Sequence, residues 1–131
     1  MMKPLVLTLK NSGADGINNL GFILNYDSAI VKYEGLKNVQ AFNSVDAGLI
    51  DNKQGKLAVE FLNDADGEVT ADCEVVELNF VFVDTEQNFE MAISDFSAQN
   101  VEGGSIVCNF PDYISFSAET GFWTFGYYWK D

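Results

Sequence analysis

The stretch Val75-Val76-Glu77-Leu78-Asn79-Phe80-Val81-Phe82 decides the fold class, because Val76, Leu78, Phe80 and Phe82 interleave with Glu77, Asn79 and Val81. Side chains of an extended strand point alternately to opposite faces, so apolar residues two apart line one buried face. A helix would need three-four spacing, which this stretch lacks. The same alternation recurs on both sides of it. Toward the amino terminus, Leu57, Val59 and Phe61 alternate with Lys56, Ala58 and Glu60 after the turn Asn52-Lys53-Gln54-Gly55. Ile30 to Leu36 reads as a strand with Val31 and Tyr33 on one side and Lys32 and Glu34 on the other. Leu20, Phe22, Leu24 and Tyr26 make another, and Leu5, Leu7 and Leu9 alternate with Val6, Thr8 and Lys10. Residues 38 to 55 are weakly patterned, with one short strand expected at Gly48-Leu49-Ile50. Toward the carboxy terminus, Asp84 to Asn88 breaks the run, and Phe89, Met91 and Ile93 resume it. Ile106 to Phe110, Ile114 to Phe116 and Phe122 to Tyr128 complete the set.

Turn residues bound these segments at Asn11 to Gly16, Asp27-Ser28, Asn63 to Gly67 and Gly103-Gly104. Eight to ten strands recurring every 10 to 16 residues, with no intervening helix of 10 or more, predict an all-β fold. An antiparallel β-sandwich satisfies the pattern, either as a jelly roll or with an immunoglobulin-like topology. The absence of a repeat or linker makes residues 1–131 a single domain, long enough to bury about two thirds of its unfolded surface. Met1-Met2-Lys3-Pro4 runs straight into the first strand, as expected of a module excised from a longer multidomain polypeptide.

Composition narrows the function. The chain carries 20 Asp+Glu against 7 Lys+Arg, a formal net charge of -13, and has no histidine. All seven cations are lysines, so arginine is absent too. Without imidazole there is no Ser-His-Asp or Cys-His machinery and no His-ligated zinc. An acidic surface repels phosphate backbones, which excludes nucleic acid, and disfavours an anionic membrane. No apolar run reaches the roughly 20 residues that span a bilayer. Paired carboxylates could in principle hydrolyse glycosides, but the acids fall mainly in turns and on polar strand faces, and a small sandwich offers little room for a cleft. The expectation is therefore a non-enzyme with no cofactor. Cys73 and Cys108 lie 35 positions apart, outside metal-ligand spacing, and could be a disulfide or two buried thiols.

Two motifs invite a ligand. Asp64-Ala65-Asp66-Gly67 is reminiscent of a calcium loop, but with Asp64 and Asp66 at the third and fifth positions, Leu62 and Cys73 would fall where carboxylates are required. A hairpin turn that uses Asp and Gly for their φ angles is the plainer reading, leaving Asp64 and Asp66 as a weak calcium candidate. The carboxy-terminal run Phe122-Trp123-Thr124-Phe125-Gly126-Tyr127-Tyr128-Trp129 puts rings on both faces of any strand it forms. One set must leave the core, so Trp123, Tyr127, Tyr128 and Trp129 could stack on sugars or pack against the sandwich or a neighbouring module.

At Gly16-Ile17-Asn18-Asn19-Leu20-Gly21-Phe22-Ile23-Leu24-Asn25-Tyr26-Asp27, followed by Ala29-Ile30-Val31-Lys32-Tyr33, the sequence resembles the cohesin family of bacterial cellulosomes. The shared feature is a loop, an alternating strand ending in Tyr-Asp, and a strand starting one or two residues later. Gly55 to Phe61, followed by Asp64 and Asp66, looks like the family's fifth strand and its turn, and Val75 to Phe82 is similar to the long strand after it. The resemblance covers roughly residues 4 to 93 and ends where the aromatic-rich tail departs from the usual closing strand. Related bacterial β-sandwiches, including carbohydrate-binding modules, share the Tyr-Asp feature.

The resemblance implies a nine-stranded jelly roll that anchors a dockerin-type module on one sheet face, formed in the family largely by the third, fifth, sixth and eighth strands. Mapped here, that face would carry Lys32 and Glu34, then Lys56, Ala58 and Glu60, then Glu77 and Asn79. These are also residues that alternation alone places in solvent. The resulting expectation is a monomeric, extracellular or cell-surface module of a larger secreted protein, bound to a protein module. A polysaccharide-binding sandwich and a ligand-free spacer are the alternatives.

Overall fold

The computed structural model describes residues 2–10, 16–64, 67–70, 72–108 and 110–127. Nine strands build two sheets: β1 (Met2–Leu9), β2 (Asn19–Asn25), β3 (Val31–Asn38), β4 (Ser44–Leu49), β5 (Lys56–Leu62), β6 (Cys73–Phe82), β7 (Phe89–Gln99), β8 (Tyr113–Phe116) and β9 (Trp123–Gly126). The small sheet has the order β1-β6-β3 and the large sheet the order β4-β5-β2-β7-β8-β9. Every strand pairing among the described residues is antiparallel. The fold is the expected all-β jelly-roll sandwich.

Alternation delivers the core. Leu5, Leu7 and Leu9 of β1, Val76, Leu78 and Phe80 of β6, Leu20, Phe22 and Leu24 of β2, and Leu57, Val59 and Phe61 of β5 are all buried between the sheets. Phe61 packs its ring 5.9 Å from Phe22 and 5.4 Å from Phe42, and Phe80 meets Tyr26 edge-on at 5.3 Å. Each such side chain contributes about 1.5–3 kcal/mol on burial, which makes this layer the main source of stability.

Three expected strands differ. Instead of residues 48 to 50, β4 spans Ser44–Leu49, and its half-buried inward side chains are Val45, Ala47 and Leu49. Its outward residues Ser44, Asp46 and Gly48 are poor strand formers, so the pairing with β5 holds it and local propensity does not. Ile106 to Phe110 forms no named strand among the described residues; Ser105 makes a single bridge to Gln99 and Ile106 N–H donates to Ala98 O. Alternation there reports burial without pairing. Phe110 closes the core by stacking on Phe96 at 5.1 Å, while Val107 is 81% exposed. The final strand ends at Gly126, short of Tyr128, which lies outside the described residues.

Bulges hid other boundaries. β7 continues to Gln99 because its register with β2 shifts between Gly21 and Ile23. Asp95 takes φ 53° at that point, after which Phe96 and Ala98 turn inward again. In β3 the shift between Tyr33 and Gly35 makes Glu34 the extra residue, and Gly35 accepts φ 133°, a conformation that few side chains tolerate.

Candidate binding face

The outer faces of the two sheets follow from parity. On the small sheet, Met2, Pro4 and Val6 of β1 stand beside Val81, Asn79 and Glu77 of β6, which in turn pair with Lys32, Gly35 and Lys37 of β3. On the large sheet, Asp46 and Gly48 of β4 stand beside Glu60 and Ala58 of β5, then Gly21 and Ile23 of β2, then Ser97 and Ser94 of β7. Lys56, Asn25, Ala92 and Tyr113 form the next row.

The two faces differ in size, relief and charge. With strands about 4.8 Å apart and about 3.4 Å of rise per residue, the large sheet presents roughly 640 Å² and the small one roughly 420 Å² in projection. A standard interface takes about 800 Å² of accessible surface from each partner. Side-chain relief raises accessible above projected area, and the large face comes nearer to that need than the small one. On the large face the small residues Gly21, Gly48, Ala58, Ala92, Ser94 and Ser97 surround Ile23, the one large apolar side chain at its centre.

Charge sharpens the contrast. On the small face Lys37 lies directly opposite Glu77, a favourable cross-strand pair. On the large face Asp46 lies directly opposite Glu60, both exposed, and like charges so placed oppose the pairing of β4 with β5. Glu60 leans over Gly21, whose missing side chain leaves it room. Lys56 is held flat: Nζ donates to Asn25 Oδ1 at 3.0 Å, and Asn25 Nδ2 donates to Ser94 Oγ at 2.9 Å. A polar row thus crosses β5, β2 and β7 already ordered.

Three surface hollows among the described residues lie at one end of this face. Dishes of about 410, 390 and 520 Å³ all include Glu90, with Asn25, Lys56 and Tyr113 in the first and Asp112 in the third. All three open broadly to solvent and none is enclosed. No charged side chain is buried among the described residues.

The residues expected to form one binding face are divided by the fold. Lys56, Ala58 and Glu60 lie on the outer face of the large sheet, whereas Lys32, Glu34, Glu77 and Asn79 lie on the small one, at the back of the sandwich. Alternation separates inward from outward but does not say to which sheet a strand belongs. The large face adds Asp46, Glu90, Ser94 and Ser97, which sequence reading missed because β4 was weakly patterned and β7 was bulged.

The aromatic set is divided as well. Trp123 turns inward, 4.9 Å from the Phe116 ring and 5.7 Å from Phe89, and its Nε1–H donates to Pro4 O at 3.0 Å. That ring is packed, so it offers no open platform. Tyr127 is half-buried, and Tyr128 and Trp129 lie outside the described residues.

Of the calcium candidates, Asp66 lies outside the described residues, and Asp64 belongs to a turn in which Gly67 N–H donates to Asp64 O at 2.8 Å. Asn18 Nδ2 donates to the same carbonyl and to Gly67 O, tying the turn to β2. Among the described residues no three His, Cys, Asp or Glu side chains gather to hold a metal. Cys73 and Cys108 are free thiols, and burial raises Cys108 to about 11.

A nine-stranded antiparallel sandwich with a broad outer sheet face belongs to the class of jelly-roll modules. No family model and no curated protein matches the sequence. Solved structures resemble it closely in fold. CaCohA2 of Clostridium acetobutylicum, crystallised in complex with CaDoc0917, superposes with a TM-score of 0.71 at 10% identity over 82% of each chain. A type I cohesin-dockerin complex from Clostridium thermocellum, Coh-OlpA with Doc918, gives 0.69 at 17% identity over 82% of each chain. A non-cellulosomal cohesin from the archaeon Archaeoglobus fulgidus gives 0.64 at 15% identity over 81% of this chain and 72% of that one. The fold is cohesin-like, and it is found in archaea as well as bacteria.

Proposed function

We propose that this chain is a non-catalytic protein-binding module that holds a dockerin-type partner against the outer face of its large sheet. The carrying observation is the Asp46–Glu60 pair on the broader face: two carboxylates set opposite one another where the sheet itself gains nothing from them. Rules of local stability are most often broken where a surface has another use. A cationic side chain from a partner would relieve the repulsion. The likeness in fold to modules crystallised with dockerins supports the same reading. Its setting would be a larger secreted or cell-surface protein, and among the described residues no helix is long and apolar enough to cross a membrane.

A panel of dockerin modules titrated into the folded chain by calorimetry tests this. At least one member should bind, with affinity that weakens as salt is raised, because the face is acidic. No heat from any member would sink the proposal. A glycan array should stay blank, since Trp123 is packed against Phe89 and Phe116.

A further inference from the structure

We infer that Pro4 and Trp123 together guard the outer edge of β1 against strand addition by a second copy of this chain. β1 ends the small sheet and, among the described residues, pairs only with β6. An eight-residue edge strand with alternating apolar residues is a template for another strand unless it is blocked. Pro4 has no N–H to offer, and its carbonyl already accepts the Trp123 Nε1–H at 3.0 Å. That carbonyl therefore points away from β6. By the two-residue period of the strand, so do the backbone groups of Val6 and Thr8.

Two copies related by a twofold axis at Val6 would set Pro4 of one against Thr8 of the other. The pairing would meet a missing donor and an occupied acceptor at both ends. Trp123 comes from β9, the last strand of the other sheet, so its indole bridges the two sheets at the place a fourth strand would enter. The guard has an evident use for a module that binds one partner on its opposite face, because self-assembly along β1 would compete with solubility.

The test is the double variant Pro4→Thr with Trp123→Phe, which restores the donor, frees the carbonyl and keeps a ring against Phe89 and Phe116. Light scattering across a concentration series should show mass rising toward twice that of the wild-type chain. Adding Val6→Lys, which places two like charges at the twofold axis, should return it to monomer. A folded double variant that stays monomeric at all concentrations overturns the inference, and so does added mass that survives Val6→Lys. If the double variant does not fold, Trp123→Phe alone gives the reading. Concentration-dependent broadening of the β1 amide signals supports the guard, and concentration-independent signals contradict it.

Discussion

Gln54 shows how much one half-buried amide can hold. Its Oε1 accepts from the Tyr26 hydroxyl at 2.6 Å and from the Tyr33 N–H at 2.9 Å, so the turn before β5 is tied to the end of β2 and the start of β3, across both sheets. Gln54→Leu leaves two donors without an acceptor and should cost about 1–3 kcal/mol, read as a lower urea midpoint. A midpoint equal to wild type would mean that water replaces the amide without loss. The thiols give a second residue-scale expectation. Burial raises Cys108 from 9.0 to about 11, and burial with Asp72 alongside raises Cys73. Burial also raises the hydroxyls of Tyr26 and Tyr33. A weak acid whose folded value is raised keeps its full contribution to stability below its unfolded value and loses it as pH climbs through the folded one. The urea midpoint should therefore decline from pH 9 toward pH 11, and Cys108→Val should remove part of the decline. A midpoint with the same slope in that variant would assign the loss elsewhere.

Single strands carry the functional argument. Asp46→Lys converts the like-charge pair of β4 and β5 into an opposite-charge one and should stabilise the chain by about 0.5–1 kcal/mol in urea unfolding. The same change should weaken partner binding about tenfold, or about 1.4 kcal/mol, by calorimetry. Stabilisation with unchanged affinity would show that the pair serves no partner. Ala58→Arg, at the centre of β5, should weaken binding at least tenfold by filling the contact, whereas Asn79→Arg on the back sheet should not. At this scale the sequence was legible where period two ran unbroken, as in β2, β5 and β6. It was illegible where a bulge reset the period, at Glu34-Gly35 and Asp95, and where small residues left β4 without a signal. For Trp123 the sequence leaves stacking on a ligand and packing against the sandwich both open, because composition reports that a ring is present and only packing decides that it faces Phe116.

The molecule as a whole combines a net charge of -13 with one wide face and one narrow one. Such a field accelerates encounter with a basic partner and is screened within about 8 Å at physiological salt, so the association rate should fall steeply between low and physiological ionic strength. Fold class and strand number could be read from alternation along the whole chain, and the cohesin-like architecture from residues 4 to 93, because hydrophobic alternation directly encodes which side chains are buried. Which residues share an outer face could not, because assigning strands to sheets depends on pairings between distant segments: Lys32 and Lys56 look alike in sequence and lie on opposite sides of the sandwich. Hydrogen–deuterium exchange of the chain with a bound dockerin module tests the central claim most directly. Protection should concentrate on β4, β5, β2 and β7, and protection confined to β1, β6 and β3 would contradict it.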